Sequence, residues 1–444
     1  MKNYRRLVPI VLIVVLAMSW YKLLSTKFEN ADIYNEYLQT AREYAESGVT
    51  KYAMEYYNLA LSMNENIDLY IEIGEYYKGQ GKTEEYLTWA EQAMVVFPTD
   101  AKAYDAVLEA NFLGKDYDSC YDVIEVAEKR GISSEYLIQV QEEIAYYYKM
   151  DFNNYDNVSI YSNNYCAVQD EGFWGFVDRY GNLRVGCKYP NVGAYTKSNF
   201  VSVINKEGIP YFIDKSGSKV IALNENVARA GLLVGDMIAV QMKDGTYTYI
   251  NQSGENVMKS EDGTAIAYEY ASTMNSGIAA VKINNAWMII DATGKQIVNT
   301  TFTDVKLDEK EIVVREDRMF VQDTDGLYIM IDSTGKQIGN LKFEDARLFS
   351  AGKYAAVKTN GKWAFIDVNG KLISDKTYDD ARSFSNGLAA VCINGKWGFI
   401  DENEVLRIES IFDGASDFNE KGSCFVKNGN TWQLLKLYRL NREG

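Results

Sequence analysis

The chain has 444 residues, 47% of them hydrophobic and 24% charged, an ordinary balance for folded protein and long enough for two or three domains. A formal charge of −16, with no long basic run past the first few residues, sets its surface against nucleic acid and anionic headgroups, so no nucleic-acid partner is expected. Histidine is absent, which removes the commonest general base, the usual triads and most zinc and haem sites; no catalytic residue, metal site or cofactor is expected.

At the N-terminus, Lys2, Arg5 and Arg6 precede an apolar run from Leu7 to Leu24, interrupted by Ser19 and Lys22. As a helix it would span roughly 27 Å, about one hydrocarbon core. Lys22 could snorkel, and Trp20 and Tyr21 suit an interface. Residues 1–30 therefore predict a transmembrane signal anchor, giving a single-pass protein with a cytoplasmic N-terminus and its bulk outside. A cleaved signal peptide, with small residues at Ala17-Met18-Ser19, is the alternative, and would give a secreted protein.

Residues 31–150 are Gly-poor, hold one proline, and place apolar residues at helical spacing. A repeat of about 34 residues runs through them. Its clearest copy has Tyr70, Ile73-Gly74, Tyr77, Gly81, Tyr86, Ala90, Ala93 and Pro98. The copy before it has Tyr37, Ala41, Tyr44, Gly48, Ala53, Tyr57 and Ala60, and the copy after has Tyr104, Val107, Cys120, Ile124 and Ala127. Each unit reads as two helices, with small residues where they cross and glycine at the turn. The third copy departs, with Leu108 at a position where a small residue is usual and Gly114 displaced by one. Residues 133–150 read as a capping helix.

This spacing resembles the tetratricopeptide repeat. That resemblance implies an α-solenoid whose concave groove takes a peptide or partner protein. The matching groove positions are Asn35, Leu38, Arg42, Asp68, Ile71, Glu75, Lys78, Lys102, Asp105 and Glu109. A plain spacer is the competing reading.

From residue 151 onward, short runs of Val, Ile, Phe and Tyr alternate with polar residues and are divided by Gly, Asn and Asp, which predicts strands and tight turns. The best copy runs Tyr378-Asp-Asp-Ala-Arg-Ser-Phe384, Gly387-Leu-Ala-Ala-Val391, then Gly395-Lys-Trp-Gly-Phe-Ile-Asp401. An aromatic marker recurs at Trp174, Tyr247, Trp287, Tyr328, Trp363, Trp397 and Trp432, with Pro210 in the second slot, at gaps of 34 to 41 residues. Asp-x-x-Gly turns at Asp178, Asp214, Asp291, Asp332 and Asp367 join strands, since Asp bonds its own backbone there and Gly accepts positive φ. Cys166 and Cys424 fall in a slot held elsewhere by Ala279, Ala355 and Ala389, and Cys392 follows the valine of the same strand. These thiols therefore read as small packing residues. No CxxC pair is present.

The Lys-Trp-Gly-Phe-Ile-Asp core resembles the bacterial WG (KWG) repeat family over about 280 residues. Only Trp174 and Trp397 keep the following glycine, so the central units should be irregular. The resemblance implies a β-rich repeat domain. Three or four strands per unit and about eight units over 151–444 suit a β-propeller, with an open β-hairpin solenoid as the alternative. The last unit lacks a final strand, so either closure takes one from near residue 151 or the ring is incomplete.

The fold class expected is multidomain, α then β: transmembrane helix, tetratricopeptide-like solenoid, all-β repeat. The acidic clusters at Asp323-Thr-Asp-Gly326 and Asp401-Glu-Asn-Glu404 raise calcium, but both sit at hairpin turns and lack the downstream ligands of an EF-hand. The expectation is a non-enzymatic, membrane-anchored scaffold of the cell envelope that binds partner proteins. A cell-wall glycan or peptidoglycan module using exposed Tyr and Trp is the alternative, and carboxylates paired across units remain the route to an enzyme.

Overall fold

The computed structural model describes Trp20, residues 31–260 and residues 262–438. The chain divides into two compact units, 1–145 and 146–444. The apolar run 7–24 lies outside the described residues, and among those described no helix is long and apolar enough to cross a membrane. The described helices from residue 50 onward have only 10 to 14 residues, against roughly 20 for a span. The expected transmembrane segment, and the single-pass localisation built on it, are corrected accordingly.

The first unit is a run of helical hairpins. It comprises α1 (31–46), α2 (Thr50–Met63), α3 (Ile67–Gly79), α4 (Thr83–Val96), α5 (Ala101–Leu113), α6 (Tyr117–Lys129) and α7 (Glu135–Ile144). Side-chain caps mark the starts of α3, α5, α6 and α7, where Asn66, Asp100, Asp116 and Ser134 each accept a backbone N–H of the first turn. The inward faces follow i, i+4, i+7 spacing, as with Ala53, Tyr57 and Ala60 on α2 and Tyr86, Ala90 and Ala93 on α4.

The hairpin crossing points differ in an instructive way. In α3–α4 a Cβ on Gly74 would stand 3.0 Å from Tyr86 Cδ2. The same positions of α5–α6 hold Leu108 and Cys120, both fully buried, with the thiol 4.0 Å from the Leu108 carbonyl oxygen. A large residue on one helix is matched by a small one on the other, so volume is kept. The displaced glycine also has a consequence. Gly114 is right-handed, and Lys115 takes the left-handed turn position at φ 58° that Gly48 and Gly81 fill in the earlier hairpins.

The second unit is a ring of eight antiparallel sheets, a β-propeller. In chain order, sheets 1 and 2 (157–189 and 191–222) have four strands each, sheets 3 and 4 (227–250 and 270–291) three each, and sheet 5 (319–331) two. Sheet 6 (345–366) has three strands and sheet 7 (380–412) four. Sheet 8 is completed from the far end of the unit: strand Tyr148–Tyr155 pairs with Thr431–Leu437, Tyr148 opposite Leu437 and Tyr155 opposite Trp432. The unit therefore starts earlier than residue 151.

A separate apolar cluster fills each of the eight gaps between neighbouring sheets. The gap between sheets 8 and 1 is filled by Cys166, Val168 and Val177 against Phe425 and Leu434. That seam closes the ring and overturns the open solenoid. Closure leaves no sheet face uncovered around the circle, and the edges that remain are the short inner and outer strands of each sheet.

In sheets 1, 4, 5, 6 and 7 the marker aromatic bridges to another aromatic fifteen residues on: Trp174 to Tyr189, Trp287 to Phe302, Tyr328 to Phe343, Trp363 to Tyr378, and Trp397 to Phe412. The sequence reading assigned Phe343 and Tyr378 to the following unit, so each sheet is shifted by one outer strand. Glycine follows the marker only in sheets 1 and 7, and both carry a seven-residue outer strand, Leu183–Tyr189 and Leu406–Phe412. A Cβ on Gly175 would lie 2.5 Å from Val185 O, and one on Gly398 2.5 Å from Ile408 O. The glycine is there because the outer backbone lies on top of it. Where Ala364 replaces it, in sheet 6, the outer strand shrinks to isolated bridges.

Candidate functional site

The five Asp-x-x-Gly turns hold the hairpins as their chemistry requires. Asp291 Oδ1 accepts from the backbone of Thr293 and Lys295 at 2.8 and 3.0 Å, and Gly294 stands at φ 85°. Asp323 and Asp325 share Lys342, at 2.6 and 2.5 Å, and Asp401 pairs with Arg407 at 2.7 Å. The acidic clusters that raised calcium are thus engaged by cations of the fold. Among the described residues no group of Cys, Asp and Glu could hold a metal ion.

All five cysteines are free thiols, and Cys120, Cys166, Cys392 and Cys424 are buried. Burial pushes the Cys166 and Cys424 thiols up, away from reactive thiolate. The marker aromatics are packing groups: Trp363 is 6% exposed, Tyr328 is buried, and Trp174, Trp287 and Trp397 pack against the clusters between sheets.

In the helical unit, the groove positions largely find one another. Arg42 pairs with Glu72 (2.7 Å), Lys102 with Asp68 (2.6 Å), and Lys78 with both Glu75 (3.1 Å) and Glu109 (2.7 Å). Asp105 accepts from Ser134 at 2.5 Å. Leu38 packs into the α1–α3 core, Ile71 is half-buried, and Asn35 is exposed. Glu72 was missed by the sequence reading; it also accepts from Tyr57 OH, while Tyr86 OH donates to Glu109. The row is a ladder of inter-helix ion pairs rather than a set of unmet charges.

Chemistry gathers instead at the centre of the propeller. A cavity of about 890 Å³ opens there. Its walls are the turns that follow the first strand of sheets 1, 2, 6, 7 and 8, together with residues 307–316 of sheet 5. One residue past the first strand of sheets 6 and 7, Arg347 and Arg382 each reach an acid of the next sheet, Asp380 (3.0 Å) and Asp417 (2.5 Å), and Lys306, one residue past the isolated bridge of Val305 to Val321 in sheet 5, reaches Asp345 (2.8 Å). Lys306 also lies over Tyr328, and Arg347 over Trp363 at 4.6 Å. In sheets 4 and 8 serine holds this position, and Ser272 and Ser416 accept a backbone N–H of their own sheet. One arc of the ring is therefore charged and the other is not.

Across the centre runs a turn that stands where sheet 5 lacks an inner strand. Asp308 Oδ1 accepts from the backbone of Lys310 and Ile312, both at 2.9 Å, and Glu311 sits at φ 59°. The turn is tied to three other sheets: Glu311 to Arg229 of sheet 3 (2.8 Å), the Lys310 carbonyl to Thr273 just past the first strand of sheet 4 (2.8 Å), and Glu309 to Arg382 of sheet 7 (2.5 Å). Glu309 is 50% exposed yet walled in by protein. Burial alone would lift its carboxyl, but Arg382 beside it holds it below the usual carboxylate range. Burial works against the Arg382 charge, and Asp417 and Glu309 more than offset it. Burial pushes the Arg347 guanidinium and the Lys310 ammonium down.

Nothing in the sequence marked this centre. The turn belongs to the most irregular unit, and Arg347 and Arg382 looked like ordinary repeat residues.

Three stretches of this chain, 330–363, 363–397 and 397–432, match the WG containing repeat. Each runs from near one marker aromatic to the next. No curated protein matches the chain. Among solved structures, the computationally designed Ika8 protein is 12% identical, with a TM-score of 0.43, covering 64% of this chain and 97% of its own. The C-terminal WD40 domain of Sif2 is 10% identical at 0.44, covering 65% and 98%, and BamB from Moraxella catarrhalis is 13% identical at 0.33, covering 63% and 84%. Likeness at this level carries no argument; the propeller rests on the chain's own strand order and seams.

Proposed function

We propose that this chain is a non-enzymatic interaction protein whose binding face is the mouth of the propeller, and that its partner is another protein. The observation that supports this is the central cavity itself, of about 890 Å³, walled by turns that the repeat leaves free to vary and lined on one arc by fixed charges. Rigid scaffolds with variable turns at one end are suited to recognition, because the turns are already ordered before a partner arrives. The helical unit serves as a second docking body. Its tetratricopeptide-like spacing supports that role, and its ion-pair ladder fixes the spacing between helices.

A photo-crosslinking residue placed at Asn386, in the mouth, and separately at Leu183, exposed on an outer strand, tests the reading. Protein adducts should form from Asn386 and be absent from Leu183. Adducts from Leu183 alone, or from neither position, would overturn it.

A further inference from the structure

We propose that the mouth takes a carboxylate, carried on an acidic segment of the partner, against Lys310 at the centre of the ring. This rests on the reading of the mouth as the binding face and names what it recognises.

Apart from Lys197, which is exposed on the rim, the other central cations are paired. Arg229 pairs with Glu311, Lys306 with Asp345, Arg315 with Asp308, Arg347 with Asp380, and Arg382 with Asp417 and Glu309. Lys310 lines both the large cavity and a smaller one of about 60 Å³ between sheets 2 and 3. Among the described residues it has no carboxylate within ion-pair distance. Burial pushes its amine down and Arg315 pushes it further, more than Asp308 and Glu309 offset. A half-buried ammonium in that condition gains from an anion brought to it.

Two further donors on the same cavity lack acceptors. Asn419 is 8% exposed, and its Oδ1 already accepts from the backbone of Lys421 (2.8 Å) and Ser423 (3.1 Å). Those two bonds fix the amide orientation, so the group left without a partner is Nδ2, a donor. The Tyr161 hydroxyl, on the neighbouring sheet, is also buried without a partner. Residues lining the mouth thus carry an uncommitted ammonium and, just beneath the surface, an amide N–H and a hydroxyl without acceptors. A carboxylate is acceptor-only and brings several lone pairs. Asp308, Glu309, Glu316, Asp417 and Glu420 line the same space, and they would repel a phosphate dianion more strongly than a single carboxylate.

The test uses the full chain and two rhodamine-labelled, end-blocked hexapeptides, one with a single glutamate and the other with glutamine in its place. By fluorescence anisotropy the glutamate peptide should bind about tenfold tighter. Lys310→Met should erase that difference, and Lys310→Arg should restore most of it. Acetate should displace the peptide at concentrations where inorganic phosphate does not. On 13C-methylated lysines followed by NMR, the Lys310 titration should move upward when the glutamate peptide is added. Equal binding of the two peptides, full binding by Lys310→Met, or displacement by phosphate alone would each overturn the inference. If Asn386 still crosslinks a partner in that case, the mouth remains the binding face and only its carboxylate preference falls. Loss of both would remove the mouth reading itself.

Discussion

Both units are built from imperfect repeats, and they absorb imperfection differently. In the helical unit a departure is answered across the helix pair: Gly74 against Tyr86 becomes Leu108 against Cys120, and the crossing stays filled. In the propeller a departure is answered by shedding structure. In sheets 3 to 6, where the glycine after the marker is lost, the outer strand retreats to bridges, as beside Ala364. Helix packing is a matter of side-chain volume, which a neighbour can make good. The glycine in a sheet is needed for the approach of two backbones, and no neighbouring side chain can make good a collision there.

That contrast can be broken most sharply at Leu108. Leu108→Gly should cost about 4 kcal/mol, from the cavity it opens and from helix propensity together. Adding Cys120→Tyr should recover part of it in urea unfolding followed by far-UV CD. Strict additivity of the two changes would show that the crossing is not a matched pair.

Next in size, Gly398→Ala should cost about 3 kcal/mol, because the new Cβ meets backbone atoms on Leu406–Phe412. The reverse change, Ala364→Gly, should cost about 1 kcal/mol or less. Equal effects would mean that the outer strand does not depend on the glycine.

A smaller effect, spread over many sites, sharpens the propeller side. Burial lifts the Asp178 and Asp401 carboxyls, but backbone N–H groups with Arg184 and Arg407 outweigh it and hold both below the usual range. Hydrogen bonds from Ser260 and Thr264 bring Asp262 down to about 2. Carboxyls lowered in the folded state contribute stability above about pH 4, and that contribution is lost as pH falls towards the folded values. The near-UV CD midpoint of the propeller in urea should therefore fall between pH 4 and pH 2. Asp178→Asn and Asp401→Asn should flatten that limb, and an unchanged slope would count against the turns as its source.

The smallest change is a gain. Lys115→Gly should stabilise the helical unit by about 1 kcal/mol, by relieving a left-handed lysine. A loss would show that the lysine side chain contributes more than the strain it carries.

Periodic features were legible in the sequence because they recur: the helix faces, the Asp-x-x-Gly turns, the markers, and the need for a strand from near residue 151. The partner fifteen residues after the marker in five of the sheets was not, since Phe343 and Tyr378 also sit at the start of the next motif. Nor was the mouth legible. Glu309 and Arg382 are 73 residues apart and meet only because the ring closes. The ion-pair ladder of the helical unit was half visible, its positions named as a groove while their mutual pairing needed coordinates.

Sheet 8 draws its last strand from the beginning of the unit, and Asp151 meets Lys436 at 2.8 Å across 285 residues of chain. At roughly 5–20 residues per second, synthesis of the intervening chain takes on the order of tens of seconds. Throughout that interval Tyr148–Tyr155 has emerged but has no strand beside it, and its backbone donors and acceptors are open to any other nascent β-segment. Newly made chains of this protein are thus vulnerable to pairing with one another until Thr431–Leu437 has emerged, and a ribosome stalled short of residue 431 would leave that vulnerability permanent.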